Sequence, residues 1–174
     1  METIPFRNIF PDGTFEDTTI EVPDLPGPDA PPTEDLRTAK LSELSAACNA
    51  AIVAGCDVAL SDGSTGHFSL METDQINLTA AVAAIEQGAN GYPYHADGQL
   101  CKLFPAADIL GIAVAATTHK LYHTTYCNHL MVWARRVETR GELEGVVYGA
   151  ALPADLAQNM EEVLGYAADV PGGV

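Results

Sequence analysis

Basic residues are scarce in this chain. Eight lysines and arginines stand against 24 aspartates and glutamates, which gives a formal net charge of −16. Such a charge repels phosphate backbones and anionic lipid surfaces. The composition therefore argues against binding to nucleic acid or to a membrane surface. The excess of acid favours solubility, and a specific basic partner is the alternative explanation.

Long apolar runs are also missing. A membrane-spanning helix needs about 20 apolar residues, whereas the most apolar run, ILGIAVAA at 109–116, is interrupted by Gly111 and is soon followed by polar residues. The N-terminal METIPFRNIFPDG has acid where a secretion signal has basic residues, and proline where it has an apolar run. We therefore expect a soluble protein that is made in a cytoplasm.

Closely spaced cysteine pairs are lacking as well. Cys48, Cys56, Cys101 and Cys127 are spread along the chain without a C-x-x-C motif. This spacing matches neither a zinc ribbon nor a disulfide-rich scaffold. The sequence predicts free, mostly buried thiols, with one disulfide formed in an oxidising medium as an open alternative.

The first 33 residues differ in composition from the rest of the chain. They are rich in proline and acid and contain no helical apolar stripe. TFEDTTIEV at 14–22 alternates like one short strand, and PDLPGPDAPP at 23–32 is typical of an extended polyproline spacer. The segment 1–33 is therefore predicted to be an extended arm.

Several apolar side chains in this arm have little local core to enter. The arm should therefore either fold back on its own domain or bind a neighbouring protein, and periodicity does not choose between the two. The candidate partner-binding residues are Ile4, Phe6, Ile9, Phe10 and Phe15.

The remainder of the chain predicts a mainly helical α+β fold of one domain. Thr33 is a good N-cap for a helix over 34–54, and short β-hairpins should separate this helix from a second and the second from a third. The predicted hairpins cover 56–70 and 92–104, the second helix starts at Thr73 or Asp74, and the third runs from Pro105 to Gly141. The third helix is long enough to form a coiled coil.

Three regions follow from this pattern. Residues 1–33 form the proline-rich acidic arm, and 34–140 form a domain of the order helix, hairpin, helix, hairpin, long helix. Residues 141–174 should hold a short strand, a small C-terminal helix and a tail.

The stretch THKLYHTTYCNHL at 118–130 concentrates three of the five histidines. On a helix, His119, His123 and Cys127 follow at steps of four and share one face, so they are candidate metal ligands. A closed zinc site needs a fourth ligand, and His129 and Asp108 lie off that face. No nucleophile motif or phosphate-binding loop accompanies the stretch. We therefore predict no enzyme activity, no cofactor and no resident metal.

The same stretch belongs to a heptad-type series on the third helix. Polar residues inside such a seam cost stability but fix the register and the number of helices, so we predict a homo-oligomer, with a trimer as one arrangement. The predicted interface comprises Ile109, Ile112, Ala116, His119, His123, Tyr126, Leu130, Trp133 and Val137. The alternative is that this helix packs on helices one and two of its own chain.

Four segments between about Asp35 and Val137 resemble a family of unknown function found in the tail-fibre regions of tailed bacteriophages and prophages. In order, they are LRTAKLSELSAACNAAI, GHFSLMETDQINL, YHADGQLCKL and a long helix with ATTHKLYH at its middle. The C-terminal VVYGAALP, followed by a small acidic helix, is similar to the ends of short tail proteins. The proline-rich arm is not part of this resemblance.

The resemblance implies a structural component of a phage tail or of a contractile tail-like particle. Such a protein would join receptor-binding fibres to the tail tip or baseplate, its partners would be fibre and baseplate proteins, and it would reside in the virion. The first alternative is a chaperone of tail-fibre assembly. The second, which depends only on the histidine stretch, is a metal-binding protein.

Overall fold

The computed structural model describes residues 2–22 and 27–169. The described chain is mixed α and β and mainly helical, which confirms the predicted fold class. Its elements are β1 (Glu2–Ile9), β2 (Phe15–Val22), α1 (Glu34–Ala54), β3 (Cys56–Ala59), β4 (Thr65–Phe68), α2 (Glu72–Glu86), β5 (Gly91–Tyr94), β6 (Lys102–Pro105), α3 (Ala106–Arg136), α4 (Arg140–Gly145) and α5 (Ala154–Asp169). The predicted tail from 170 and the spacer residues 23–26 lie outside the described residues.

The N-terminal segment is a β-hairpin rather than an extended arm. β1 and β2 pair in antiparallel register over their full length. The turn between them closes through a hydrogen bond from the Phe10 amide to the Thr14 carbonyl, 2.9 Å long, with Gly13 at a φ of +86°. Asp-Gly is a strong signal for such a turn, so the prediction of a single strand over 14–22 missed the partner strand.

The last part of the predicted spacer packs against the C-terminal region. The Ala30 carbonyl accepts from the Arg140 amide and the Pro28 carbonyl from the Gly141 amide, each at 2.8 Å. A side chain at Gly141 would bring a Cβ within 3.3 Å of Pro28. Residues 28–30 therefore cover the start of α4.

Helix α1 has the predicted bounds, because both of its ends are set locally. The Thr33 hydroxyl accepts from the Leu36 amide, and Glu34 and Asp35 occupy the first turn, where carboxylates favour the helix dipole. Gly55 ends the helix at a φ of +81°. A Cβ there would lie 1.9 Å from the Phe68 carbonyl oxygen, so glycine is required.

The two predicted internal hairpins are present. β3 pairs with β4 and β5 with β6, both antiparallel. Gly63 and Gly98 adopt positive φ angles in the two turns, each after an aspartate. The three Asp-Gly pairs of the sequence thus lie in the turns of the three hairpins found in residues 2–22 and 27–169, and each hairpin is a separate two-stranded sheet.

Helix α3 is shorter than predicted and a second short helix follows it. Val137 is extended at φ −65° and ψ 143°. The Thr139 hydroxyl accepts from the Glu142 amide while the Glu142 carboxylate accepts from the Thr139 amide, a capping box that begins α4. The prediction that α3 runs to Gly141 is therefore wrong, because α3 ends at Arg136. The short strand predicted after Gly141 is also absent, because α4 occupies Arg140–Gly145 and no strand follows it in the described residues.

The hydrophobic core has two parts, one at each half of α3. The first lies among α2, the two internal hairpins and the first half of α3, and contains Phe68, Leu78, Phe104, Ile109 and Ile112. The second lies among α1, the second half of α3, α4 and α5, and contains Leu44, Leu130, Leu143, Val146 and Met160. Within the described residues, no helix is long and apolar enough to cross a membrane.

The predicted oligomer interface is in fact part of this core, so that prediction is corrected. Six of the seam residues are buried inside the single chain, namely Ile109, Ile112, Ala116, Tyr126, Leu130 and Val137. The other three, His119, His123 and Trp133, are half-buried. α1 runs antiparallel along the second half of α3, whereas α2 and the internal hairpins cover its first half. These elements of the same chain supply the partner that the heptad spacing required. A homo-oligomer therefore gains no support from the seam.

Candidate functional site

The N-terminal hairpin, residues 2–22, exposes its apolar side chains. Every residue from 3 to 20 is exposed. Six of them are large and apolar, with exposed fractions from 40% at Phe10 to 71% at Ile9; the others are Ile4, Phe6, Phe15 and Ile20. All five residues predicted for the partner-binding arm are in this set. The sequence-based prediction of partner-binding residues did not include Ile20, although Ile20 alternates with polar residues in the same strand.

One face of the N-terminal hairpin is an aliphatic and aromatic patch. The strand register places Ile4 opposite Ile20 and Phe6 opposite Thr18. Because alternate residues of a strand share a face, these four side chains lie on the same side of the ribbon. A cross-strand apolar pair such as Ile4 and Ile20 stabilises a ribbon. The side chains of this face are nevertheless exposed, because no other element within the described residues covers them.

The opposite face contains the only basic residue of the hairpin. Arg7 donates from Nε to Asp17 Oδ1 at 2.6 Å and from Nη2 to Oδ2 at 2.8 Å. Its guanidinium carbon lies 4.3 Å from the centre of the Phe15 ring, and Ile9 pairs with Phe15 beside it. The guanidinium holds the pKa of Asp17 below its usual range. Because the pair is exposed, it orders the surface more than it stabilises the fold.

The hairpin has more acidic than basic groups. Within 2–22 the carboxylates are Glu2, Asp12, Glu16, Asp17 and Glu21, against Arg7 alone. Two-stranded hairpins are only marginally stable in water by themselves, and exposed apolar patches rimmed by polar groups mark interaction sites. The hairpin therefore combines exposed apolar side chains with an excess of acidic groups.

The histidine stretch lies on α3, and its side chains point to different partners. His119 Nε2 lies 2.9 Å from the Ala51 carbonyl, and His123 Nδ1 lies 2.5 Å from the Tyr148 hydroxyl. The His129 ring bridges the Thr125 carbonyl and the Asn159 side chain.

The candidate metal ligands do not converge as a set. The His119 and His123 rings meet edge to face with centroids 4.4 Å apart, whereas the Cys127 thiol donates to the Leu44 carbonyl. Across residues 2–22 and 27–169, no three side chains of His, Cys, Asp or Glu are grouped to hold a metal ion.

Burial changes the acidity of this region. Desolvation, with a smaller contribution from His119, lowers the pKa of His123. Desolvation also raises the pKa of Tyr148 to about 12. For Cys127, desolvation and then the neighbouring Cys48 thiol raise the pKa to about 12. These side chains are therefore neutral at pH 7, which suits structural contacts better than nucleophilic chemistry.

An open groove lies beside this region, between α3, α5 and the loop 146–153. It has a volume of about 810 Å³ and is lined by Tyr122, His123, Tyr126, Tyr148, the backbone of 149–151, Leu152, Met160, Glu161 and Leu164, among others. We call it the tyrosine groove. The sequence did not predict it, because Tyr148 is far from Tyr122 along the chain and only the fold brings them together.

One further histidine with hydrogen-bond partners, His67, lies on the hairpin β3–β4. His67 Nδ1 is 2.7 Å from Asp57 Oδ1, and its Nε2 is 2.8 Å from the Ala54 carbonyl. The Asp57 carboxylate and then the Ala54 carbonyl raise the pKa of His67. His67 and its two partners are exposed, and their hydrogen bonds join the end of α1 to the hairpin.

Comparison with known proteins gives one family match. A family model described as a domain of unknown function, DUF4376, matches residues 35–132. The matched segment covers more than half of the 174 residues and includes α1, both internal hairpins, α2 and most of α3. It does not include the N-terminal hairpin or α5. Comparison with curated proteins and comparison with solved structures find no match.

Proposed function

The chain belongs to the DUF4376 family, and we propose that it is a non-enzymatic structural adaptor that docks on another protein through its N-terminal hairpin. The helical domain supplies a scaffold, and the hairpin lies outside the segment that defines the family. The role of the hairpin is therefore proposed from its own chemistry.

The observation that carries this proposal is that every residue from 3 to 20 is exposed. Phe6, Ile9 and Phe15 are each about half exposed or more. Leaving a large apolar side chain in water forgoes about 1.5 to 3 kcal/mol that its burial would contribute. A partner surface that covers these side chains would recover that free energy and would stabilise a hairpin that is marginal by itself.

The charge of the hairpin indicates the kind of partner. The sequence of the hairpin contains five carboxylates and one guanidinium, and that guanidinium is already bound to Asp17. A second copy of the chain would bring another −16 charge toward this surface, and like charges oppose such a contact. An apolar patch rimmed by lysine or arginine on a different protein is complementary to the hairpin.

We place this adaptor in a phage tail or a contractile tail-like particle, between fibre and baseplate. The resemblance of the helical domain to proteins of tail-fibre regions supports this setting. An assembly chaperone would use the same hairpin and then leave, so the two roles differ in whether the chain is found in finished particles.

Particle incorporation tests the proposal. Particles are purified from cells that make the natural chain, a hairpin variant with Phe6→Asn and Ile20→Asn, or a control variant with Leu100→Asn and Leu103→Asn. Both variants replace two exposed apolar residues, so both should retain the helical circular dichroism of the natural chain. We expect the natural and control chains in particles at equal amounts, and the hairpin variant at about a tenth or less.

Each outcome of this experiment has a separate meaning. Equal incorporation of the hairpin variant would overturn docking through the hairpin. A natural chain that binds fibre protein in the cell but is missing from particles would overturn the adaptor role in favour of the chaperone. If the natural chain is found neither in particles nor bound to fibre protein, the proposal that it belongs to a phage tail or tail-like particle is wrong.

A further inference from the structure

The tyrosine groove is lined by few charged side chains. Among the described residues, Glu161 is the only lysine, arginine, aspartate or glutamate that lines it. His123, the one histidine in this lining, has its pKa lowered by burial, so it adds no positive charge at pH 7. The groove therefore combines apolar walls and tyrosine rings with one carboxylate, in a chain that is itself strongly acidic. Such a surface attracts cations and repels anions.

The tyrosine rings are held in place by hydrogen bonds at their hydroxyl ends. The Tyr126 hydroxyl donates to the Ala150 carbonyl at 2.6 Å and accepts from the Gly149 amide at 3.0 Å. The Tyr148 hydroxyl is bound to His123 Nδ1. These polar atoms are thus already engaged, and what the two residues add to the groove is the surface of their rings.

Tyr122 supplies the accessible ring. It is 47% exposed and lies nearly parallel to the Tyr126 ring, with centroids 6.2 Å apart and planes 15° apart. Tyr126 in turn meets Tyr148 edge to face at 5.4 Å. Three aromatic rings thus line one side of the groove, and Glu161 lines it from α5.

We propose that the tyrosine groove binds a quaternary ammonium group. The ring faces of tyrosines attract cations within about 6 Å, and the carboxylate of Glu161 adds a long-range attraction. A quaternary ammonium has no N–H group, so it needs no acceptor among the rings and aliphatic side chains of the groove, where the Tyr126 and Tyr148 hydroxyls and the Ala150 carbonyl are already engaged. A primary ammonium or a guanidinium would have to satisfy several N–H donors with few acceptors besides Glu161.

The volume of the groove agrees with a ligand larger than this head group. Small-molecule sites occupy about 300 to 1,000 Å³, and the groove holds about 810 Å³. Leu152, Met160 and Leu164 offer apolar surface beyond the tyrosines. The methyl groups of the cation would contact the rings, and the group attached to the nitrogen would lie along these aliphatic side chains.

The proposal is tested by titrating the full chain with choline chloride at constant ionic strength, followed by calorimetry and by NMR of tyrosine side chains. 3,3-Dimethylbutan-1-ol is the matched probe, because it replaces the charged nitrogen by carbon in the same shape. We expect choline to bind about tenfold more tightly than this alcohol. Ethanolamine, which has the charge and N–H donors, should also bind more weakly than choline.

Variants of exposed lining residues identify the site. Tyr122→Leu should weaken choline binding about fivefold or more, whereas Tyr122→Phe should retain it, because the ring face is what binds. Glu161→Gln should weaken binding about threefold and should remove part of its salt dependence. Tyr166→Leu is the control, since Tyr166 is 76% exposed and does not line the groove.

Three results would overturn the proposal. Equal binding of choline and the neutral alcohol would show a merely apolar groove. Tighter binding of ethanolamine would show a site for N–H donors. No choline binding, or binding that Tyr122→Leu leaves unchanged, would show that the groove is not a cation site. None of these results bears on hairpin docking, because the groove and the N-terminal hairpin share no residue.

Discussion

The Nδ1 atom of His123 and the hydroxyl of Tyr148 are joined by a hydrogen bond of 2.5 Å. This bond connects the middle of α3 to the loop that leads into α5, and the two rings stack with centroids 6.2 Å apart. A neutral imidazole can accept at Nδ1 from the tyrosine hydroxyl. The contact therefore depends on the protonation state of His123.

Stability should fall on acidification through this histidine. Burial lowers the pKa of His123 below 6.5, the ordinary value for histidine. As the pH drops below 6.5, the unfolded chain binds a proton there that the folded chain does not, so the free energy of unfolding decreases toward the folded pKa. Above 6.5 the contribution is complete. We expect His123→Gln to lose less stability than the natural chain between pH 7 and pH 5 in urea titrations.

His95 supplies the control for this measurement, because it is an exposed histidine at the end of β5. His95→Gln makes the same substitution on the surface, and its loss of stability between pH 7 and pH 5 is the reference for His123→Gln. If His123→Gln loses as much stability as His95→Gln, burial does not lower the pKa of His123 as described.

His67 should have the opposite effect on stability. Asp57 and the Ala54 carbonyl raise its pKa above 6.5. The folded chain therefore holds its proton more tightly, and this stabilisation is present below 6.5 and is lost as the pH rises through the folded pKa. His67→Gln should destabilise the protein more at pH 6 than at pH 8.5 in thermal unfolding. An equal loss at both pH values would contradict the charged contact with Asp57.

The two faces of α3 should respond differently to the same truncation. Leu130 is fully buried in the second part of the core, whereas Leu110 is 42% exposed. Leu130→Ala should cost about 2 to 5 kcal/mol because it leaves a cavity, and Leu110→Ala should cost about 0.5 kcal/mol or less. Urea unfolding measures both. Similar losses would contradict the assignment of the seam to the interior of the single chain.

Arg37 on α1 should stabilise the end of α3. It donates from Nη1 to the Ala134 carbonyl at 2.8 Å and from Nη2 to the Val137 carbonyl at 2.7 Å. These carbonyls lie at the helix C-terminus, where a cation is favoured. Arg37→Lys removes the planar fork and should cost about 1 to 3 kcal/mol in urea unfolding. The same change at exposed Arg135 is the control, and an equal loss there would show that the fork has no special role.

The cysteines should differ in reactivity. Cys101 is exposed, whereas Cys48 and Cys127 are buried against each other between α1 and α3. The thiolate is the reactive form, and the pKa of Cys127 is raised to about 12. Iodoacetamide at pH 8, followed by mass spectrometry, should therefore label Cys101 at least about 100-fold faster than Cys127. Comparable rates would show that the α1–α3 interface opens readily.

Several elements could be predicted because their signals are local. The bounds of α1 follow from Thr33 at its start and Gly55 at its end, and the internal hairpins follow from their Asp-Gly turns. The apolar residues of the N-terminal segment were also identified, since a polar, proline-rich sequence offers them no core. The same Asp-Gly signal at Asp12 and Gly13 indicated the first hairpin, but the prolines nearby favoured an extended arm instead.

What the sequence determined by itself was therefore the helix caps, the turns, the apolar stripe of α3 and the acidic surface. The tertiary structure decided which surface covers that stripe, because periodicity shows that a face is apolar but does not show whether its partner is another copy or other elements of the same chain. It also decided the end of α3, where Arg37 and the start of α4 compete with helix continuation. The tyrosine groove likewise exists only because folding brings Tyr148 into contact with Tyr126. In the sequence, 21 residues lie between these two tyrosines.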